Sequence, residues 1–196
     1  MEPVILASSS PRRQEILKLL NIPYQVIMPN IDESVSAGLV PEEVPELFAR
    51  EKVAAVVRSL PSDREIQWVL GADTVIIFNN KIYGKPENQK QAAQFLHLFS
   101  GQTHTVRTVI ALYNGRKRTT STRACSTEVT FKEMSEKEIT WYIETGEWHG
   151  AAGGYRIQSL ASCFIRKISG SMTGVAGLPI FELYDILQAQ GYSIID

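Results

Sequence analysis

Residues 103–131, THTVRTVIALYNGRKRTTSTRACSTEVTF, decide the fold class. Thr103–Tyr113 and Arg118–Phe131 read as long strands rich in β-branched residues, joined around Asn114-Gly115, a dipeptide that favours hairpins. Upstream, Trp68–Phe78 is a further apolar, β-branched run, interrupted by Gly71-Ala72-Asp73-Thr74, and Asn79-Asn80 marks its hairpin tip. Helical patterns alternate with these strands. Val4–Ala7 is a short buried strand, followed by Ser10 as N-cap, Pro11 at the first helical position and the apolar face Ile16, Leu17, Leu19 and Leu20. Tyr24–Met28 reads as a strand, and Pro29–Val40 as an irregular polar loop with Asp32-Glu33.

Pro41 opens a second helix with Val44, Leu47, Phe48, Ala55 and Val56 near one face; Lys52, four residues after Phe48, lies beside that apolar stripe. Gly84-Lys85-Pro86 is a turn, and Asn88–Leu98 is a helix that ends at Ser100-Gly101. Ser135-Glu136-Lys137-Glu138 is a capping box opening a helix to about Thr145. A glycine-rich stretch over 146–154, a strand over Ala161–Ser169 and a helix over Leu178–Gln190 closed by Gly191 complete the chain. Interleaved helices and hairpins predict an α/β fold with a mixed, twisted sheet flanked by helices.

The 196 residues suit one large domain or two small ones, with an apolar share of 44% and a net charge of −1. Such a chain buries about 70% of its surface and needs no disulfide staples. Near-neutrality argues against a nucleic-acid polymer or an anionic membrane as partner, so an anionic ligand needs locally gathered cations. No apolar run approaches the roughly 18 residues of a membrane span, and the acidic start MEPVILASSSPRR does not read as a signal peptide, so the expected compartment is the cytoplasm. Cys125 and Cys163 lack a CxxC partner and read as inert thiols. His97, His104 and His149 have no ligand or triad spacing and read as structural or surface residues; Trp141 and Trp148 read as packing.

Four places carry chemistry. Ser8-Ser9-Ser10-Pro11-Arg12-Arg13 lies between a strand and a helix start, where backbone N–H groups and forked guanidiniums suit phosphate; it also fits a capped helix with solvated arginines. Asp73 is an acid inside an apolar run, expensive to bury unpaired, and reads as a strand-end metal ligand or general base, or as a turn cap. Lys85 in its stiff turn is a phosphate ligand or a surface cation, and the Walker A pattern is absent. In Gly153-Gly154-Tyr155-Arg156-Ile157-Gln158 the glycines allow close backbone approach, and the Gln158 amide has the donor and acceptor needed to read a base edge, or the segment is an ordinary turn.

The ordered set A-S-x-S-P-R-R (from Ala7), D-E (Asp32), A-R-E-K (Ala49), G-A-D-T-V (Gly71), G-K-P (Gly84), S-G-x-x-H-x-V (Ser100), T-G-E-W (Thr145), A-G-G-Y-x-I-Q (Ala152) and V-x-G-L-P (Val175) resembles the Maf family of nucleoside triphosphate pyrophosphatases, over about Ile5 to Leu187. The resemblance implies an elongated, two-lobed Maf/ITPase-like α/β architecture, one domain over 1–196 with the cleft between its lobes, and frequent homodimers. It implies hydrolysis of a nucleoside triphosphate to the monophosphate and pyrophosphate with a divalent metal, Mg²⁺ or Mn²⁺. Carried over by motif, Asp73, Glu33, Lys52 and Lys85 are catalytic, Glu33 and Asp73 hold the metal, and Ser8, Arg12, Arg13, Thr74 and Gln158 bind or select the substrate.

Arg12, Thr74 and Gln158 stand where the dTTP/UTP branch has Arg, Thr and Gln, and where the 7-methyl-GTP branch has Trp, Gln and Glu. The chain departs from the family at three positions. Ala151 replaces a common lysine, so a cation is missing there or is supplied by a nearby residue such as Arg156; Ser159 and Gly174 replace a common glycine and asparagine. The alternatives are a pyrophosphatase with another base preference, and a nucleotide-binding regulator of cell division with vestigial hydrolysis.

Overall fold

The structure is a computed structural model that describes residues 1–32, 39–61 and 67–195. Among the described residues seven strands form one mixed sheet: β1 (Val4–Ala7), β2 (Tyr24–Val26), β3 (Trp68–Phe78), β4 (Lys81–Tyr83), β5 (Thr103–Asn114), β6 (Thr119–Phe131) and β7 (Ile165–Ser169). The helices are α1 (Pro11–Leu19), α2 (Val44–Ser59), α3 (Gln89–Phe99), α4 (Glu136–Glu144), α5 (Met172–Val175) and α6 (Ile180–Gln190). The strand order is β2-β1-β3-β5-β6-β7, with β4 on β3. β1 is parallel to β2 and β3, and the remaining pairs are antiparallel. The expected α/β class and mixed sheet are therefore present.

Both hairpins form. Asn79 and Asn80 adopt left-handed φ values of 48° and 58°, the geometry of a tight two-residue turn. The long hairpin closes with a wider loop over 115–118, in which Asn114 Oδ1 accepts from Lys117 N–H at 3.1 Å and Arg118 takes the left-handed conformation. Thus Asn114 belongs to the strand rather than to the turn.

Several expected boundaries shift. Trp68–Phe78 is one unbroken strand: its Gly-Ala-Asp-Thr core pairs with β5 throughout, Asp73 opposite Val109 and Thr74 opposite Thr108. Asp73 is therefore mid-strand and not at a strand end, because polar side chains interrupt an apolar pattern without interrupting the backbone ladder. The second helix begins at Val44, since Pro41–Glu43 form a turn. Leu160–Cys163 is a 3-10 turn, and the strand begins only at Ile165. The C-terminal helix starts at Ile180, after Pro179, and ends on Gly191 at φ 89°. The first sheet strand after α1 stops at Val26. Ser10 precedes α1 without a side-chain cap; its own N–H instead donates to Ser8 Oγ.

β3 organises the interior. On one face, Leu70 and Ala72 join an apolar cluster with Leu6, Leu17, Ile110 and Leu183, while Ile76 joins another with Phe99, Phe131 and Tyr142. Thr74 falls between them. On the other face, Val69 packs with Ala49 and Val53 of α2, Val75 and Ile77 pack with Val44 and Phe48, and Asp73 falls between. Alternation of side chains along a strand thus places one polar residue at the break on each face.

Candidate active site

The strand pairings leave a gap. Along one edge of β3, β1 pairs with Val69–Gly71 and β4 with Ile76–Phe78. Among the described residues no strand covers Ala72–Val75 on that edge. A cleft of about 710 Å³ opens there, lined by the β1–α1 connection, α2, the middle of β3, the segment after β4, residues 149–158 and Val175–Gly177. That volume is within the range of small-molecule sites.

On the α2 side, Lys52 Nζ donates to Asp73 Oδ1 at 2.5 Å, and both side chains are buried. Asp73 Oδ2 has no hydrogen-bond partner among the described residues, and the side chain lines the cleft. The ammonium thus orients the carboxylate and leaves one of its oxygens for cleft chemistry. Gly71 makes this approach possible: a Cβ there would lie 2.8 Å from the Ala49 carbonyl oxygen and 2.7 Å from Val53 Cγ2. Only glycine lets α2 sit close enough for Lys52 to reach across.

On the opposite face, the buried Arg13 guanidinium ties three elements together. It donates from Nε to Gly177 O at 2.8 Å, from Nη1 to Ser8 Oγ at 2.9 Å and from Nη2 to Thr74 Oγ1 at 3.3 Å. Thr108 gives its single hydroxyl proton to Gly174 O at 2.7 Å, so the 2.9 Å contact between Thr74 and Thr108 must have Thr74 as donor. Thr74 thereby uses its one proton in a relay from Arg13 to Gly174. Arg13, Ser8 and Thr74 line the cleft, but these hydrogen bonds hold its walls together. The alternative of a solvated arginine does not hold for Arg13, whose guanidinium is buried and bonded.

The far wall carries the base-reading candidate. Gly153, at φ 66°, donates its N–H to Gly84 O at 2.8 Å, and a Cβ there would meet Ile76 Cδ1 at 2.2 Å. This contact joins the Gly84-Lys85-Pro86 segment to the Gly-Gly-Tyr segment, and the exposed Lys85 lines the cleft. Gln158 is also exposed in the cleft, but its backbone is clasped on both sides. Arg156 N–H donates to Tyr142 Oη at 3.2 Å. Beyond it, Glu147 accepts from Ser159 Oγ through one oxygen and from Leu160 N–H at 3.1 Å through the other. Ser159 is thus a hydrogen-bond donor to Glu147.

Two further lining residues are His149, which sequence reasoning left as structural or surface, and Tyr155, which it quoted within the motif over 153–158 without a role of its own. His149 stacks on Trp148 at 3.6 Å, and its Nδ1–H donates to Gly146 O at 2.7 Å, which leaves the Nε2 lone pair in the neutral ring. Tyr155 is buried against His104, 2.7 Å from Tyr155 Oη to Nε2. Neither histidine has a spacing signal; their places follow from the loop fold. Glu33 lies outside the described residues, and Asp32 is exposed and not among the cleft-lining residues. Ala151 is buried, and Gly174 packs on Cys125, where a Cβ would lie 2.9 Å from the sulfur.

Residues 3–190 match the family model described as Maf-like protein. The chain belongs to the Maf family. Curated relatives support the assignment over the full length. A dTTP/UTP pyrophosphatase of Pelotomaculum thermopropionicum is 38% identical across all of both chains. That of Treponema denticola is 40% identical across all of both. That of Salmonella typhimurium is 41% identical over 95% of this chain and 92% of its own. Among solved structures, the Staphylococcus aureus Ham1 protein overlaps loosely, with a TM-score of 0.47 and 14% identity over 66% of this Maf chain and 72% of that one.

A divalent metal fits the donors in part. Among the described residues no group of three His, Cys, Asp or Glu side chains gathers. The open Asp73 oxygen is nevertheless a hard ligand, and Mg²⁺ is commonly held by one or two carboxylates together with substrate phosphates and water.

Proposed function

We propose that this Maf protein hydrolyses dTTP and UTP to the monophosphate and pyrophosphate. The observation that carries the reading is the buried Asp73 carboxylate in the sheet gap, with Lys52 on Oδ1 and Oδ2 facing a cleft that also holds cations and the Gln158 amide, which has no hydrogen-bond partner among the described residues. The relatives' names give the same substrates. Gln158 would read the uracil or thymine edge, whose adjacent acceptor and donor match an amide. Arg12 and Lys85 would offset phosphate charge, and Arg13, through Ser8 and Thr74, would set the wall against which the phosphates lie.

In this mechanism Asp73 Oδ2 takes a proton from the water that attacks the α-phosphorus, and the bond to the pyrophosphate oxygen breaks. Lys52 holds the carboxylate in the orientation that this transfer needs. Asp73, together with Glu33, would hold a Mg²⁺ or Mn²⁺ ion. When bound, such an ion supplies electrostatic stabilisation of charge on the phosphate oxygens. The same reading takes residues 1–196 as one domain of two lobes, cytoplasmic, and able to form a homodimer; no described helix is long and apolar enough to cross a membrane.

The test is a panel of nucleoside triphosphates at equal concentration with Mg²⁺ and product identification. Pyrophosphate release with preference for UTP and dTTP is expected, and Asp73→Asn should lower turnover by roughly 10²-fold or more. Orthophosphate as the product, or wild-type turnover in Asp73→Asn, refutes the mechanism. A purine preference removes Gln158 from base reading.

A further inference from the structure

Arg12 and Arg156 enter the cleft from opposite walls, one from α1 and the other from the segment after the Gly153 turn. Both guanidiniums close on one two-residue stretch. Arg156 Nη2 donates to His149 O at 2.9 Å, and Arg12 Nη2 reaches Gly150 O at 3.5 Å. The stretch is held in place: Gly150 takes φ 67°, His149 is stacked and bonded, and Tyr142 fixes the Arg156 backbone.

Two like charges brought together in this way repel. Burial first, and then the field of Arg156, hold the Arg12 guanidinium below its ordinary pKa, with Glu15 opposing. Among the described residues no carboxylate lies within ion-pair distance of either arginine. Arg156 Nε is buried with no hydrogen-bond partner among those residues, so the Nη2 bond to His149 leaves a buried donor of the same guanidinium unsatisfied. Converging guanidiniums are the usual means of gripping phosphate oxygens, through forked and charge-assisted hydrogen bonds.

We infer that Arg12 and Arg156 form a two-guanidinium clamp for the pyrophosphoryl end of the substrate, the part that leaves. The inference rests on the pyrophosphatase reading and adds Arg156 as a substrate-binding residue. It also accounts for Ala151: the position is buried, and the cation of this wall comes from Arg156 five residues later.

The experiment is calorimetric titration of inorganic pyrophosphate into the wild type, Arg156→Gln and Arg156→Ala, alongside titration of UMP, which lacks the pyrophosphoryl group. Arg156→Gln keeps a donor for the His149 carbonyl while removing the charge, so it separates the clamp from support of the loop. Pyrophosphate binding should weaken about tenfold or more in both variants, as expected for a charged hydrogen bond, while UMP binding stays within about twofold. Wild-type pyrophosphate affinity in either variant overturns the clamp. Equal loss for pyrophosphate and UMP also overturns it, because Arg156 would then only support the Gln158 loop. A wild type that binds pyrophosphate but releases none from any triphosphate leaves the clamp standing and defeats the pyrophosphatase reading. A wild type that binds no pyrophosphate defeats the clamp alone.

Discussion

Gly71→Ala should damage both stability and turnover, through a single atom. The added Cβ would stand 2.8 Å from the Ala49 carbonyl oxygen, where ordinary contact begins at 3.4 Å, so the two groups must separate by about 0.6 Å (3.4 − 2.8). A rotamer change of Val53 relieves its own overlap but does nothing for a helix carbonyl. The turn of α2 over Ala49–Val53 must therefore move outward, and Lys52 moves with it, away from the oxygen it meets at 2.5 Å. Overpacking of this kind costs about 1–3 kcal/mol, or roughly 2–12 °C in melting temperature for a chain of this size. Since a misplacement of about 1 Å costs on the order of 10²-fold, turnover should fall by roughly tenfold in protein that is still folded. Thermal unfolding and initial-rate kinetics below the transition read both effects. Gly84→Ala is the control for stability, because a Cβ there meets nothing within 4 Å. A Gly71→Ala protein with unchanged melting temperature and kcat would refute the claim that this contact sets the Lys52–Asp73 geometry.

Two further outcomes follow from the buried groups. Burial pushes the His104 imidazole down to about 4, against an ordinary value of 6.5. Between those values the unfolded chain binds a proton that the folded chain refuses, so stability is fully present above pH 6.5 and falls as the pH drops, by roughly 2–3 kcal/mol at pH 4.5. Urea titrations at pH 7 and 4.5 should show a smaller acid loss in His104→Gln than in the wild type; equal losses would contradict the assignment. Glu147→Ala should free the backbone beside Gln158 and lower the kcat/KM preference for UTP over CTP by roughly fivefold, the worth of about one hydrogen bond. An unchanged preference would remove Glu147 from positioning the base reader.

Much of the site was legible because its chemistry is local. The glycine, acid and cation motifs sit where backbone approach or charge is needed, and Asp73, Lys52, Lys85, Arg12, Arg13, Ser8, Thr74 and Gln158 all line one cleft. Lys52 was visible as an anomaly, a cation beside an apolar stripe, and its burial against Asp73 explains it. What stayed hidden depended on contacts between distant segments. Thr108 takes part in the Arg13 relay only because the β3–β5 register sets it opposite Thr74. The roles of Tyr142 and Glu147 as clasps on the Gln158 segment depend on how α4 docks, which no spacing reports.

By itself, the sequence determined the α/β class, both hairpins, the capping box at Ser135 and the family, and it singled out most of the candidate residues that line the cleft. These follow from short-range physics: side-chain periodicity, turn conformations and motifs whose residues act within a few positions of one another. Only the tertiary structure decided that Asp73 lies mid-strand, in a gap between β1 and β4, with an ammonium on one oxygen. It also decided how the cations divide: Arg13 turns inward to join the walls, while Arg12 and Arg156 converge on the His149-Gly150 stretch. A charge in a sequence carries no direction. Its partner is set by which strands and loops the fold brings together, and that choice separates a guanidinium that ties walls together from one that lines the cleft.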